Sequence, residues 1–233
     1  MKLYDILYWV LPTLLPIMLL LLPSSCATNQ VSKIDPQTIN GNEATASAFS
    51  VGKNRTLFEI NPAESEARFF VDEILRGEEK TVVGKTNAVS GQIAVDFDDP
   101  RSSLAGPIQV NALTLETDNA FRNRALHTRI LLATIYEHVI FEPTAVSGLP
   151  ESITIGEPVE FQIVGDLTIT AYTKPATFDV VAVLVSESRL EGQARSTIDR
   201  NEFDLVIPSA AGVAGVDEIV TLELDFSASR VEE

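Results

Sequence analysis

Cysteine is all but missing: Cys26 stands alone in 233 residues, so no disulfide can form within the chain. Histidine is nearly as scarce. His127 and His138 cannot compose a zinc-ligand set and read as ordinary helix or helix-end residues. Cations are outnumbered, 17 against 33 acidic groups, giving a formal charge of −16. Nucleic-acid binding depends on neutralising phosphates, so this balance argues against such a partner. It also disfavours docking on anionic lipid through a basic surface, and most simply describes a soluble, self-repelling exterior. No Gly-x-Ser-x-Gly and no Gly-x-Gly-x-x-Gly occurs. VGKT (83–86) ends like a phosphate-binding loop, but Glu79 occupies the position where that loop needs glycine. SVGK (50–53) matches a Ser-x-x-Lys tetrapeptide without its supporting motifs, and the acid pairs Glu78-Glu79 and Asp98-Asp99 fall in turns. Nothing in these motifs asks for an enzyme.

What the chain does have begins with MKLYDILYWVLPTLLPIMLLLLPSSC, a lysine, a long apolar run and small residues before Cys26. This is the pattern of an export segment. Its end resembles the lipobox of bacterial lipoproteins, which implies lipidation at Cys26. The rival reading is an uncleaved membrane helix, since Leu3 to Leu22 spans about 20 residues, enough to cross a bilayer. Either places the remainder outside the cytoplasm, attached to a membrane. Residues 1–26 therefore form a signal or anchor segment, and 27–54, rich in Ser, Thr, Asn and Ala, a tether.

From 55 to 231 the texture is all-β: short apolar-alternating runs punctuated by Gly, Pro, Asn and Asp. GDLTITAYTKPATFDV (165–180) is the clearest case. Val159, Phe161, Ile163, Gly165, Leu167, Ile169 and Ala171 share one face and Glu160, Gln162, Asp166, Thr168 and Thr170 the other, which predicts one buried and one wet side. A break is expected at Lys174-Pro175. VVAVLV (180–185) is apolar on both faces, so a cover over its outer side is expected. NAFRNRALHTRILLATIYEH (119–138) departs from the β pattern and predicts one or two short inserted helices, capped by Asp118 or Asn119. Arg122, Arg124 and Arg129 cluster there. They are candidates to hold a polar head group, or simply form a solvated helix face paired with carboxylates.

GDLTITAYTKPATFDV resembles the Gly-x-Leu-Thr-Ile-x-Gly-x-Thr-Lys-Pro-Val signature of the YceI-like polyisoprenoid-binding proteins. FEINPAESEARFFVDE, VSGQIAVDF, RNRALHTRILL with YEHVIF, and RNEFDL (200–205) resemble further elements in the family's order. Ala171, Asn123, Glu137 and Asp204 replace the family's Gly, Asp, Pro and Gly. The resemblance implies an antiparallel, lipocalin-like β-barrel holding a long isoprenoid chain of the quinone or polyprenyl phosphate type. It implies no cofactor and no catalysis. Cavity-lining candidates are Phe69, Val71, Leu113, Leu115, Phe121, Leu126, Leu131 and Phe141 in the first half of the domain. In the second half they are Phe161, Ile163, Leu167, Ile169, Phe178, Val180 and Phe203. Alternation does not distinguish a lipid tunnel from a filled core, so a closed structural or interaction domain is the second reading. An isomerase- or dehydratase-like barrel pocket is the third. Oligomeric state is not legible.

Overall fold

The computed structural model describes residues 54–232. Residues 1–26, expected to form a signal or anchor segment ending at Cys26, and nearly all of the expected tether lie outside the described residues. Thirteen strands form one antiparallel sheet. They are β1 (Thr56–Ile60), β2 (Glu66–Leu75), β3 (Glu78–Thr86), β4 (Val89–Ser90), β5 (Gln92–Val95), β6 (Leu104–Ala105) and β7 (Ile108–Asn111), followed by β8 (His138–Ser147), β9 (Pro158–Ile169), β10 (Tyr172–Ser186), β11 (Arg189–Asp199), β12 (Val213–Val216) and β13 (Ile219–Arg230).

Several strands join end to end as single staves. β1 and β2, separated by a short turn that Asn61 caps and Pro62 starts, both pair with β13. The run β3–β4–β5 pairs with β2 and β1 on one flank. On the other it meets Glu116, β7 and β6. From β7 the ladder continues through β8, β9, β10 and β11 back to β13, so the sheet closes on itself. Counted as staves, these are β1–β2, β3–β5, β6–β7, β8, β9, β10, β11 and β13. The all-β, lipocalin-like barrel expected from the sequence is the observed fold, and closure gives every stave a partner on both sides over part of its length.

The long alternation holds. Ile163, Leu167 and Ile169 turn inward to the core. The turn between β9 and β10 is not at Lys174-Pro175, however. It falls at Thr170-Ala171, with Thr170 in the left-handed region (φ 55°), and Pro175 sits within β10 opposite Asp166. The ladder from β10 to β11 begins only at Asp179, so the N–H that proline lacks has no partner to lose on that flank. The outer side of 180–185 is not covered among the described residues: Val181 is 44% and Val185 42% exposed. A wet outer face tolerates scattered apolar side chains.

Outward-facing charges pair across strands. Arg68 donates to Glu223 (2.6 and 3.1 Å), to Glu66 (3.0 Å) and to Asp225. Burial opposes its charge, but hydrogen bonds to Glu223, Asp225 and Glu66 more than offset this, and its pKa rises above that of an ordinary arginine.

Between β7 and β8 the chain makes one long excursion, residues 112–137. It contains a 3-10 turn (Ala112–Thr114), α1 (Ala120–Ala125) and a π-turn (Leu126–Ile130). Asn119, not Asp118, caps α1, accepting from the N–H groups of Phe121 (2.9 Å) and Arg122 (3.2 Å). The excursion marks one end of the barrel, together with the β2–β3 and β9–β10 turns and the β11–β13 connector. β1 and the end of β13 lie at the other.

Close approach of the neighbouring backbone fixes Gly165 as glycine. A Cβ on Gly165 would overlap the Glu142 carbonyl oxygen and the Phe141 ring, which rests on its bare backbone. Gly165→Ala is therefore expected to cost about 1–3 kcal/mol through overpacking. Gly215, with nothing within 4 Å of such an atom, serves as the control and is expected to tolerate alanine. Urea unfolding of the two variants checks this, and equal stabilities would contradict it.

Candidate functional site

Two buried clusters occupy the barrel, one toward the excursion end and one toward the base. Ile163, Phe178 and Ile108 pack against both. Between them runs a cavity of about 360 Å³. Its wall follows β9 from Ile169 to Val159, roughly 33 Å at about 3.3 Å per residue. Small inward residues such as Ala67 and Ala182 leave space that the larger side chains do not fill.

Of the residues singled out in the sequence, Phe69, Val71, Leu115, Leu126, Leu131 and Phe141 line this cavity. So do Phe161, Ile163, Leu167, Ile169, Phe178 and Val180. Phe141 and Phe178 face each other at its middle, with ring centroids 4.7 Å apart and a 60° tilt. Three candidates lie elsewhere. Phe121 is 87% exposed, because α1 turns its first-turn side chain to solvent while Leu126 faces the core. Leu113 falls in the 3-10 turn, not on a strand face, and is exposed. Phe203 is fully buried in the turn Arg200–Phe203 and helps wall a separate shallow groove beside β10. Lining residues outside the sequence candidates include Leu184, Leu190 and Phe226 at the base, whose alternation along β10, β11 and β13 was a usable signal.

The arginines separate. Arg122 alone of the three lines the cavity. Its guanidinium donates to Glu73 (2.6 Å) and Asp118 (2.6 Å), and Lys80 completes the chain by donating to Asp118 (2.7 Å). The hydrogen bond from Lys80, working against burial, holds the Asp118 carboxyl below the usual aspartate range. Glu73, an inward residue of β2 with its side chain 5% exposed, also lines the cavity, so an ion pair sits at the apolar mouth. Arg124 and Arg129 are exposed and belong to no ion pair among the described residues. Arg200, absent from the sequence candidates, reaches the same end of the lining. Its donors go to Asn201 Oδ1 and to the carbonyls of Asp217, Leu205 and Val216, with no carboxylate partner.

A largely apolar tunnel, with Glu73, Arg122 and Arg200 at the excursion end and Arg68, Glu157 and Glu223 the other charged residues of its wall, is suited to holding a chain-like hydrophobe with a polar end. The sequence profile of the YceI-like domain matches residues 58–228. The chain belongs to the YceI-like family. Solved structures share this YceI-like barrel at low identity. BcnA of Burkholderia cenocepacia is 15% identical, with a TM-score of 0.58 over 73% of this chain and 99% of that one. A polyisoprenoid-binding domain from Saccharophagus degradans, described as implicated in plant cell wall breakdown, is 11% identical (TM-score 0.56; 75% and 98%). The YceI protein of Campylobacter jejuni is 15% identical (TM-score 0.52; 64% and 85%). A search of curated proteins finds no match.

The mouth ion pair carries a test. Arg122→Met leaves the buried Glu73 carboxylate without its cation. The expected loss is about 3 kcal/mol, the low end for breaking a buried pair, because Arg122 is partly exposed. Adding Glu73→Gln should recover most of it, whereas Arg124→Met should stay within about 0.5 kcal/mol. Denaturant unfolding of the set decides. Similar losses for Arg122→Met and Arg124→Met would deny the pair its role.

Proposed function

We propose that this barrel binds or carries a long-chain isoprenoid lipid, of the quinone or polyprenyl phosphate type, without catalysing its conversion. The observation that carries the reading is the apolar cavity running between the two core clusters. A closed structural core, the second reading, would fill that space with side chains. Burial of apolar chain supplies the affinity, about 0.8 kcal/mol per methylene, so long chains are favoured over short ones. The polar end belongs at the mouth, where Arg122 and Arg200 present cations beside the lining. The barrel-pocket enzyme of the third reading needs two convergent titratable groups within the lumen. The charges that reach the lining at the mouth are instead engaged: Glu73 by Arg122, and Arg200 by backbone carbonyls.

Native mass spectrometry of protein purified without detergent is expected to retain a mass matching an isoprenoid lipid. Ile163→Trp should weaken titrated binding of such a lipid at least tenfold while the lipid-free protein unfolds at nearly its original temperature, since the indole occupies space meant for the ligand. A filled core would instead lose about 1–3 kcal/mol to overpacking. That loss, together with no lipid bound by the parent protein, would sink the carrier reading.

The same proposal places the barrel outside the cytoplasm, held to a membrane through the lipidated Cys26; the supporting evidence is the residue pattern of 1–26. Cys26→Ala should release the protein from membranes or leave it unprocessed. Failure of the parent protein to take up labelled palmitate would favour the uncleaved helix.

A further inference from the structure

The excursion 112–137 has two sides. Toward the barrel it buries Leu126, Leu131 and Ala133, and the first two line the cavity mouth. Outward it presents Phe121 (87% exposed), Ile135 (71%) and Leu132 (37%). Leu132 is held in left-handed backbone, φ 47°, where its carbonyl accepts from the N–H groups of Ile135 (2.8 Å) and Tyr136 (3.0 Å). A bulky side chain kept exposed in a costly conformation points to use of that surface. Scattered exposed apolar residues need no explanation, but here several share one short segment at the tunnel opening.

Asp118 is drawn to Lys80 and Arg122, Glu137 accepts from Asn111 (3.0 Å), and Glu116 is tied by its backbone to Lys85 in the barrel wall. The exposed charges of the segment without an ion pair among the described residues are the cations Arg124 and Arg129, set on the α1 and π-turn stretch with Phe121, and the carboxylates Glu116 and Glu137, set toward the barrel wall at its two ends. Aromatic and aliphatic side chains interleaved with arginine match the interfacial zone of a bilayer, where rings enter the acyl boundary and guanidinium groups meet phosphates.

We propose that this excursion docks the barrel mouth onto an anionic lipid bilayer, Phe121 and Ile135 inserting while Arg124 and Arg129 bind head-group phosphates, so that the tunnel opens onto the membrane. The net charge of −16 opposes long-range attraction, so the contact is short-ranged and local. Glu202, Asp217 and Glu218, exposed on the β11–β13 connector at the same end, add to that opposition. Attachment at the opposite end does not prevent it, because residues 27–53 reach roughly 90 Å when extended. The proposal rests on the lipid-carrying reading of the cavity but fails separately from it.

The experiment uses the full chain with Trp9→Phe, carrying a single new tryptophan by Phe121→Trp, Ile135→Trp or, as the far-end control, Ile155→Trp. Vesicles contain phosphatidylglycerol and acyl-brominated phosphatidylcholine. Fluorescence at positions 121 and 135 is expected to fall at least twofold with a blue shift, and at 155 to change little. Arg124→Glu with Arg129→Glu should reduce the quenching at 121 at least twofold. Vesicle-bound protein with no quenching at 121, or equal quenching at 155, overturns the proposal. So does a dimer in sedimentation that Phe121→Ser dissociates, which would assign the patch to a second copy. Isoprenoid retention in native mass spectrometry reports on the cavity whichever way the docking test falls.

Discussion

Between Glu78 and Val95 the chain hydrogen-bonds to β2 and β1 on one flank and to Glu116, β7 and β6 on the other. That one run converts a curled sheet into a ring. With the ring closed, every stave has a partner on both sides over at least part of its length, and period two sends one set of side chains to the lumen and the other to water. The apolar interior and the cavity both follow from that closure. They depend less on any single contact within the lumen.

Charge is distributed accordingly. Along the staves it pairs with neighbours, as Arg68 does with Glu223 across the strands and with Glu66 along its own. Glu73 is the exception, buried at the rim, and it is tolerated because Arg122 descends from α1 to meet it. The excursion is thus both the lid of the hydrophobic cluster and the source of the cation at the mouth. This is why its arginines could not be treated as equivalent.

How much could be read beforehand depended on whether the deciding physics was local. Alternation from Val159 to Ile169 is local, and it correctly placed Phe161, Ile163 and Leu167 on the lumen side. The position of Pro175 was misread as a turn because proline's cost depends on whether the next strand pairs at that level, which is a property of the assembled sheet. Phe121 and Leu126 are both cavity-lining candidates in the sequence, but α1 is a six-residue helix that runs into a π-turn, and the change in period shifts the phase between them. Arg200 carried no pattern beyond its motif. Its place at the mouth is set by the backbone carbonyls of Leu205, Val216 and Asp217, brought back to it by the folding of the β11–β13 connector.

Phe141 lies on Gly165, and in the same way the Phe226 ring covers Gly192 on the adjacent strand. In both places an aromatic ring is let into the wall, as a shutter folds into its recess, because the neighbouring strand has no side chain there. The bore of the tunnel is therefore governed partly by residues that contribute no side-chain surface to it. A relative with alanine at either glycine would swing its ring toward the lumen axis and narrow the passage. Two barrels of this architecture with identical lining side chains can then differ in the thickness of ligand they admit.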